Sequence, residues 1–179
     1  SHVLREQVGL EAIADKLTFK LDGLTAAVQP GCHVLWPSDV YSVKEANTFY
    51  PTILRELVEA TGASAPHYSR LEACCGMGGL RSTDMEKSML IFKDKLMSMK
   101  EELNPDMIVT TCSSCFLQFD QSQQILKERG DIDFEIPVFY YTQLLALAMG
   151  FDPSQVAAIS QTPREGLIKE IQSNARKAA

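Results

Sequence analysis

The chain has 179 residues, of which 45% are apolar and 22% charged, and its formal net charge is -6. This composition is typical of one globular domain that needs neither disulfides nor metal merely to fold. The acidic balance and the lack of a basic stripe argue against nucleic acid as a partner, and no apolar run is long enough for a membrane span. No secretion signal is evident, so we expect a reducing, cytoplasmic location. Ser1-His2 is typical of the scar of a cleaved tag, and we expect a fragment of a longer protein.

Short apolar segments bounded by turn residues predict four buried strands. The second of them is placed mainly by its neighbours, because its own pattern is weak. In chain order the predicted strands cover residues 25–29, 67–71, 107–111 and 136–140.

Apolar residues at helical spacing predict helices around these strands. The clearest helix follows a capping-box pattern, Thr83 to Glu86, and Asn104-Pro105 ends it. Its methionine-rich apolar stripe predicts core packing rather than ligand binding. The predicted helices cover residues 3–17, 51–62, 85–103, 112–127 and 142–149, and an amphipathic helical tail follows at 163–179.

Strands that alternate with helices predict an α/β fold, a three-layer sandwich with a mainly parallel, roughly four-stranded sheet. Parallel sheets collect their sites beyond the carboxyl ends of the strands. Three loops at such ends carry Cys32, the doublet Cys74-Cys75, and the pair Cys112 and Cys115. We therefore expect the five sulfurs to come together, with helix N-termini lowering the thiolate pKa values.

Five clustered thiols leave several chemistries open. Full disulfide pairing is excluded because the count is odd. A structural zinc ion or a cubane cluster needs only four ligands, whereas five suit a larger or less symmetrical iron–sulfur centre. A redox pair at Cys112 and Cys115 is a further alternative, because Cys-x-x-Cys serves all of these purposes. His33, beside Cys32, is a candidate ligand or proton source.

The cysteine spacing, Cys32-x41-Cys74-Cys75-x36-Cys112-x2-Cys115, resembles that of the cysteine-rich CCG domain family. More closely, the chain is similar to the C-terminal half of the B subunit of heterodisulfide reductase. This resemblance predicts one CCG domain at residues 3–162 and a helical tail at 163–179. The segments that carry the similarity are residues 8–13, 29–38, 73–81, 108–120 and 136–147.

The resemblance implies a cofactor and a reaction. It implies part of a disulfide oxidoreductase that reduces a disulfide such as that of coenzymes M and B. It also implies electrons from an iron–sulfur protein of the C-subunit type and a flavin protein of the A-subunit type, and a second CCG half in the same polypeptide. An isolated half is then expected to be inactive, and zinc is an expected substitute in a recombinant fragment. The implied ligands of a non-cubane [4Fe-4S] cluster are Cys32, Cys74, Cys75, Cys112 and Cys115.

Two other functions stay open from the sequence. One is an electron-transfer CCG component of a lactate, glycolate, glycerol-phosphate or succinate dehydrogenase-type complex. The other is a zinc-binding structural domain without catalytic activity.

Overall fold

The structure, a computed structural model, describes residues 1–35 and 49–174. Within them lies a parallel sheet of three strands, β1 (Ala26–Gln29), β2 (Met107–Thr110) and β3 (Val138–Tyr140), with β2 in the centre. Gln29 of the first strand pairs with Thr110 of the second, which in turn pairs with Tyr140 of the third. Nearly every strand residue is buried, which is typical of parallel sheets.

Helices make up much of the remaining described chain. A short π-helix (Val3–Val8) precedes the α-helices. The sixth α-helix joins β2 to β3 and packs against both, as the predicted parallel strand–helix–strand connection requires. None of the helices in the described ranges is both long and apolar enough to cross a membrane. The α-helices are α1 (Leu10–Asp15), α2 (Cys32–Leu35), α3 (Ile53–Glu59), α4 (Gly79–Thr83), α5 (Met85–Leu103), α6 (Ser113–Glu128), α7 (Tyr141–Ala148), α8 (Pro153–Val156) and α9 (Glu165–Ser173).

The strand predicted at residues 67–71 is wrong, so the sheet has three strands in the described residues rather than about four. This segment is irregular and ends in a turn. Ser69 donates its backbone N–H to the Glu102 carboxylate at 2.8 Å instead of pairing with a strand. The only β-pairing in this part of the described chain is an isolated parallel bridge between Thr25 and Ser64.

Two predicted helix boundaries also need correction. The first predicted helix, 3–17, is divided at Gly9, whose φ of 88° does not continue a helix. The residue that caps α5 is Asp84 rather than Thr83, because Asp84 accepts the backbone N–H of Lys87 at 3.0 Å. The Thr83 hydroxyl donates instead to Gly79 O at 2.9 Å, inside the unpredicted helix α4.

The apolar stripe of α5 is core, as predicted, and the C-terminal helix joins the same core. The α5 residues Met89, Phe92, Leu96 and Met99 are all buried. Helix α9 buries Leu167 and Ile171 in the same hydrophobic cluster. The described part of the predicted tail therefore packs against the domain, while residues 175–179 lie outside the described ranges.

Candidate functional site

The paired ends of β1 and β2 place two cysteine loops side by side. Two threonine hydroxyls tie these ends together, since Thr110 Oγ1 donates to Gln29 O at 2.8 Å and Thr111 Oγ1 donates to Pro30 O at 3.1 Å. The strands are in register at this point, so the loops leave the sheet at the same level.

The loop after β1 packs directly on the loop after β2. Gly31, with φ at 94°, lies so close to Cys112 that a Cβ on Gly31 would be 2.9 Å from the Cys112 Cβ. Cys32 follows Gly31 and begins α2, and Cys112 is the N-cap of α6. Cys32 and Cys112, far apart in sequence, are therefore neighbours at the carboxyl edge of the sheet.

The cysteine doublet reaches the same edge, but not from a strand. It follows the turn after residue 71 and precedes α4. The Cys75 Sγ lies 3.3 Å from the Cys115 Sγ, and both side chains are buried. Cys74 is exposed and lies close enough to Cys32 for the two to interact electrostatically. The structure thus brings the five cysteines into one region, although the predicted strand before the doublet is absent.

Hydrogen bonds between the cysteine sulfurs raise the pKa of the donor thiols and lower the pKa of the acceptor sulfurs. The Cys115 thiol has one proton, which it can donate to Cys75 or to Cys112, and hydrogen bonding from Cys115 lowers the pKa of Cys112 to about 6 although burial opposes this. The pKa of Cys75 is also lowered, because the thiols of Cys115 and Cys74 both donate to its sulfur. Those same donations raise the pKa values of Cys115 and Cys74 above the usual range.

Backbone N–H groups supply further positive dipoles around the sulfurs. Gly76 donates its N–H to the Cys74 Sγ at 3.4 Å, and the N–H of Met77 bonds the Cys75 sulfur. The first amides of α6, those of Ser114 and Cys115, bond the sulfur of Cys112. Such donors favour negative charge on sulfur, in line with the helix N-terminus effect predicted from the sequence.

A buried lysine lies beneath the doublet, and sequence reasoning missed it. Lys95 is 1% exposed, and its Nζ donates to three backbone carbonyls, those of Arg70 at 2.6 Å, Leu71 at 3.0 Å and Ala73 at 2.7 Å. Burial lowers the pKa of Lys95 to about 8, and the negative sulfurs oppose that change. The sequence did contain one indication that Lys95 is buried, because its position falls on the apolar face of α5.

A polar network fixes the turn after the doublet. Ser88 Oγ donates to Gly76 O at 2.7 Å, and Gln118 Nε2 donates to Ser88 Oγ at 3.3 Å. Arg81 then joins α4 to α6, because its Nη1 donates to Gln118 Oε1 at 2.7 Å and to Ser122 Oγ at 2.6 Å. The turn has no room for a side chain, since a Cβ on Gly76 would lie 2.6 Å from Ser88 O.

Aromatic residues close the side of the site nearest β3. Phe116, which follows Cys115, stacks on Tyr140 with ring centroids 4.2 Å apart. The buried guanidinium of Arg164 lies over the Phe139 ring, 4.4 Å from its centroid. Burial, assisted by the negative charge of Cys112, raises the pKa of Tyr140. The third strand end therefore contributes a protonated tyrosine close to the sulfurs.

The donor set fits a thiolate-bound metal centre. It offers five sulfurs in one region with backbone N–H donors to Cys74, Cys75 and Cys112, and both zinc and iron–sulfur clusters bind such ligands. Within residues 1–35 and 49–174, no three or more His, Cys, Asp or Glu side chains are arranged around a point that suits a single metal ion. The side chain of His33 lies outside the described part of the chain.

Comparison with known protein families shows which family this chain belongs to. The family model for the cysteine-rich CCG domain matches residues 26–120, a range that contains the five cysteines. The chain belongs to the cysteine-rich CCG domain family. The matched range includes the paired strands β1 and β2, the turn that carries the doublet and the first half of α6.

Relatives of this CCG domain include components of heterodisulfide reductases. The chain is 55% identical over 174 residues to the heterodisulfide reductase B-subunit-like protein of Archaeoglobus profundus, covering 97% of this chain and 58% of that protein. It is 38% identical to the B subunit of the ferredoxin:CoB-CoM heterodisulfide reductase of Methanosarcina mazei, covering 86% and 50% respectively. The chain thus spans about half the length of the curated relatives that it matches.

Two more distant matches extend the comparison. The 8-methylmenaquinol:fumarate reductase membrane anchor subunit of Wolinella succinogenes is 24% identical over 147 residues, which cover 82% of this chain and 50% of that protein. A crystal structure of a hypothetical protein from Helicobacter pylori superposes with a TM-score of 0.57 at 14% identity, covering 86% of this chain and 27% of that one. The latter match supports the mixed α/β fold alone.

Proposed function

We propose that this CCG domain is the C-terminal half of a heterodisulfide reductase B-subunit-like protein and that it holds a non-cubane [4Fe-4S] cluster. The observation that carries the proposal is the convergence of five sulfurs from three distant segments at one edge of the sheet, with Cys75 and Cys115 in contact. The 55% identity to the Archaeoglobus profundus protein supports the same assignment. The proposed cluster ligands are Cys32, Cys74, Cys75, Cys112 and Cys115.

The cysteines differ in burial, and we propose different roles for the buried and the exposed ones. Cys75 and Cys115 would hold the inner side of the cluster, while Cys32, Cys74 and Cys112 retain exposed surface and would face a substrate. Such a cluster supplies single electrons for disulfide cleavage. The overall reaction consumes one disulfide, two electrons and two protons and yields two thiols. In the proposal, His33 supplies a proton at the edge where Cys32 begins α2.

The proposal extends to partners and location. The disulfide of coenzyme M and coenzyme B is the proposed substrate, bound between this domain and a second CCG half in the same polypeptide. Electrons would come from an iron–sulfur protein of the C-subunit type and a flavin protein of the A-subunit type in the cytoplasm. The 38% identity to the Methanosarcina mazei protein supports this substrate, and an isolated half is expected to lack turnover.

The test is the content of iron, zinc and acid-labile sulfide in chain that is produced and purified without oxygen. We expect about four iron and four sulfide per chain. Cys75→Ser should lower both, because it removes a central buried sulfur, whereas Ser114→Ala at an exposed position should not. Zinc without sulfide that persists after anaerobic reconstitution would contradict the cluster and support a structural zinc domain.

The role of His33 needs the complete enzyme. His33→Gln should reduce disulfide turnover, because it removes the side chain that is proposed to donate a proton. Turnover that is unchanged at every pH would remove His33 from the mechanism.

A second candidate function is electron transfer in a respiratory or dehydrogenase complex without disulfide chemistry. The similarity to the Wolinella succinogenes fumarate reductase component favours it. The full-length protein in its native complex distinguishes the two. Reduction of the coenzyme disulfide supports the first function, whereas quinol-dependent reduction of another acceptor, without disulfide reduction, supports the second.

A further inference from the structure

We propose that Lys95 is a positioning residue of the cysteine centre. Its buried ammonium group holds the loop that leads into Cys74 and Cys75, and it places a fixed positive charge beside the sulfurs. The second role rests on the proposed function, because it concerns the charge of a bound cluster, whereas the first does not.

The hydrogen bonds of Lys95 all go to the segment before the doublet. Its three N–H groups are matched by three carbonyls within residues 70–73, at 2.6 to 3.0 Å. An ammonium group has three donors, so this arrangement satisfies the side chain completely. Lys95 lies on α5, the longest helix of the described chain, and the apolar stripe of this helix is buried in the core. The hydrogen bonds of Lys95 therefore attach residues 70–73 to a fixed part of the fold.

The surroundings of Lys95 explain why a lysine is retained in the core. A buried charge is unfavourable unless dipoles or opposite charges compensate it. In the described residues no carboxylate lies within ion-pair distance of its Nζ, and the Tyr68 ring lies 5.6 Å away. The titratable groups that act on it most are the sulfurs of Cys115, Cys75 and Cys74, followed by Glu72. The three carbonyl dipoles and the neighbouring cysteine cluster therefore compensate the charge.

A positive charge at this place affects reduction. A cluster bound by several thiolates is anionic, and each added electron increases that negative charge. A nearby ammonium group in a region of low dielectric stabilises the reduced state more than the oxidised state. Hydrogen bonds and charge around a cluster are among the factors that set its reduction potential. Lys95 should thus raise the potential of the centre.

Three variants of the chain separate the two roles. Lys95→Gln removes the charge and weakens the hydrogen bonds, and Lys95→Arg keeps the charge but changes the donor geometry. Lys87→Gln removes an exposed charge from the same helix and is the matched control. Lys95→Arg also keeps the test decisive if Lys95→Gln does not fold.

The loop role is measured in metal-free chain by amide hydrogen exchange of residues 70–76. Exchange should accelerate about tenfold or more in Lys95→Gln, to a smaller degree in Lys95→Arg, and not in Lys87→Gln. Unchanged exchange in both Lys95 variants would overturn the loop role. This readout stands even if the unmodified chain takes up no iron and sulfide, a result that would refute the proposed function and the redox role with it.

The redox role is measured in loaded chain by spectroscopic redox titration. Lys95→Gln should lower the midpoint potential by about 59 mV, the equivalent of a tenfold change in the ratio of oxidised to reduced cluster for one electron. Lys95→Arg and Lys87→Gln should stay close to the unmodified value. An equal shift of the midpoint potential in Lys95→Arg and Lys95→Gln, or no shift in either variant, would overturn the proposal that the charge of Lys95 raises the potential.

Discussion

At Gly31 the backbone itself is part of the site, because it packs on the Cβ of Cys112. Gly31→Ala should cost about 1–2 kcal/mol for the left-handed backbone and about 1–3 kcal/mol more for the collision with Cys112. Gly130→Ala is the matched control, since its φ is 73° but its Cβ would meet no described atom within 4 Å. Denaturant unfolding of metal-free chain compares the two variants. Equal losses would contradict the close approach of the two loops.

Cys74 is more exposed than Cys112, but we expect the thiol of Cys112 to react faster. A thiol reacts as the thiolate, which forms above its pKa. Hydrogen bonding from Cys115 lowers the pKa of Cys112 to about 6, whereas the bond to Cys75 raises the pKa of Cys74. We therefore expect a larger thiolate fraction at Cys112 than at Cys74 at pH 7.

Alkylation of reduced, metal-free chain, followed by mass spectrometry, measures these rates. Cys112 should react faster as pH rises through about 6 and level off above it, while the more exposed Cys74 stays slow at pH 7. In denaturant the two rates should converge. Faster alkylation of Cys74 in the folded chain at pH 7 would contradict the assignment.

At the scale of single residues, the sequence predicts the positions of the cysteines better than those of the residues that hold their loops. Cys32 and Cys112 could be placed together because both follow strands of a parallel sheet. Ser88 and Gln118 could not, because a polar residue gives no sign in sequence of whether its partner is water or a buried loop. The position of Lys95 in the apolar stripe of α5 indicates that it is buried but not which groups it bonds. Only tertiary contacts decide that.

Among the elements, helix α5 depends on its cap. Asp84→Ala should destabilise the chain by about 1 kcal/mol, because it removes the acceptor for the Lys87 N–H. Thr83→Ala should cost less than about 0.5 kcal/mol, because its hydroxyl bonds only within the exposed helix α4. Thermal unfolding of both variants checks the order. A larger loss for Thr83→Ala would restore the capping box predicted from the sequence.

The missing strand at 67–71 has a physical explanation. Tyr68 and Leu71 are buried, as strand residues would be, but Tyr68 bonds Val28 O through its hydroxyl and Ser69 bonds Glu102. Side-chain contacts thus occupy the groups that a strand would use. Apolar pattern alone cannot separate a buried irregular segment from a short strand.

For the whole molecule, the question is whether the C-terminal segment is a separate tail. Ile171 is 0% exposed in the common core, so Ile171→Ala should cost about 2–5 kcal/mol. Lys169→Ala, at an exposed position of the same helix, should change little. Both variants should unfold in one transition in denaturant. An unchanged free energy of unfolding in Ile171→Ala would support the predicted division at residue 162.

The cysteine site can form only after β1 and β2 have paired. The Cys32 and Cys112 loops meet only after these parallel strands have paired, and pairing across so long a connection is a slow step of folding. During synthesis, Cys32 and the doublet leave the ribosome well before their counterparts on α6. The proposed cluster, which needs all five sulfurs, would therefore be inserted after folding, and until then the chain carries unprotected thiols that oxygen can cross-link wrongly. Protection from oxygen matters most while the protein is being made.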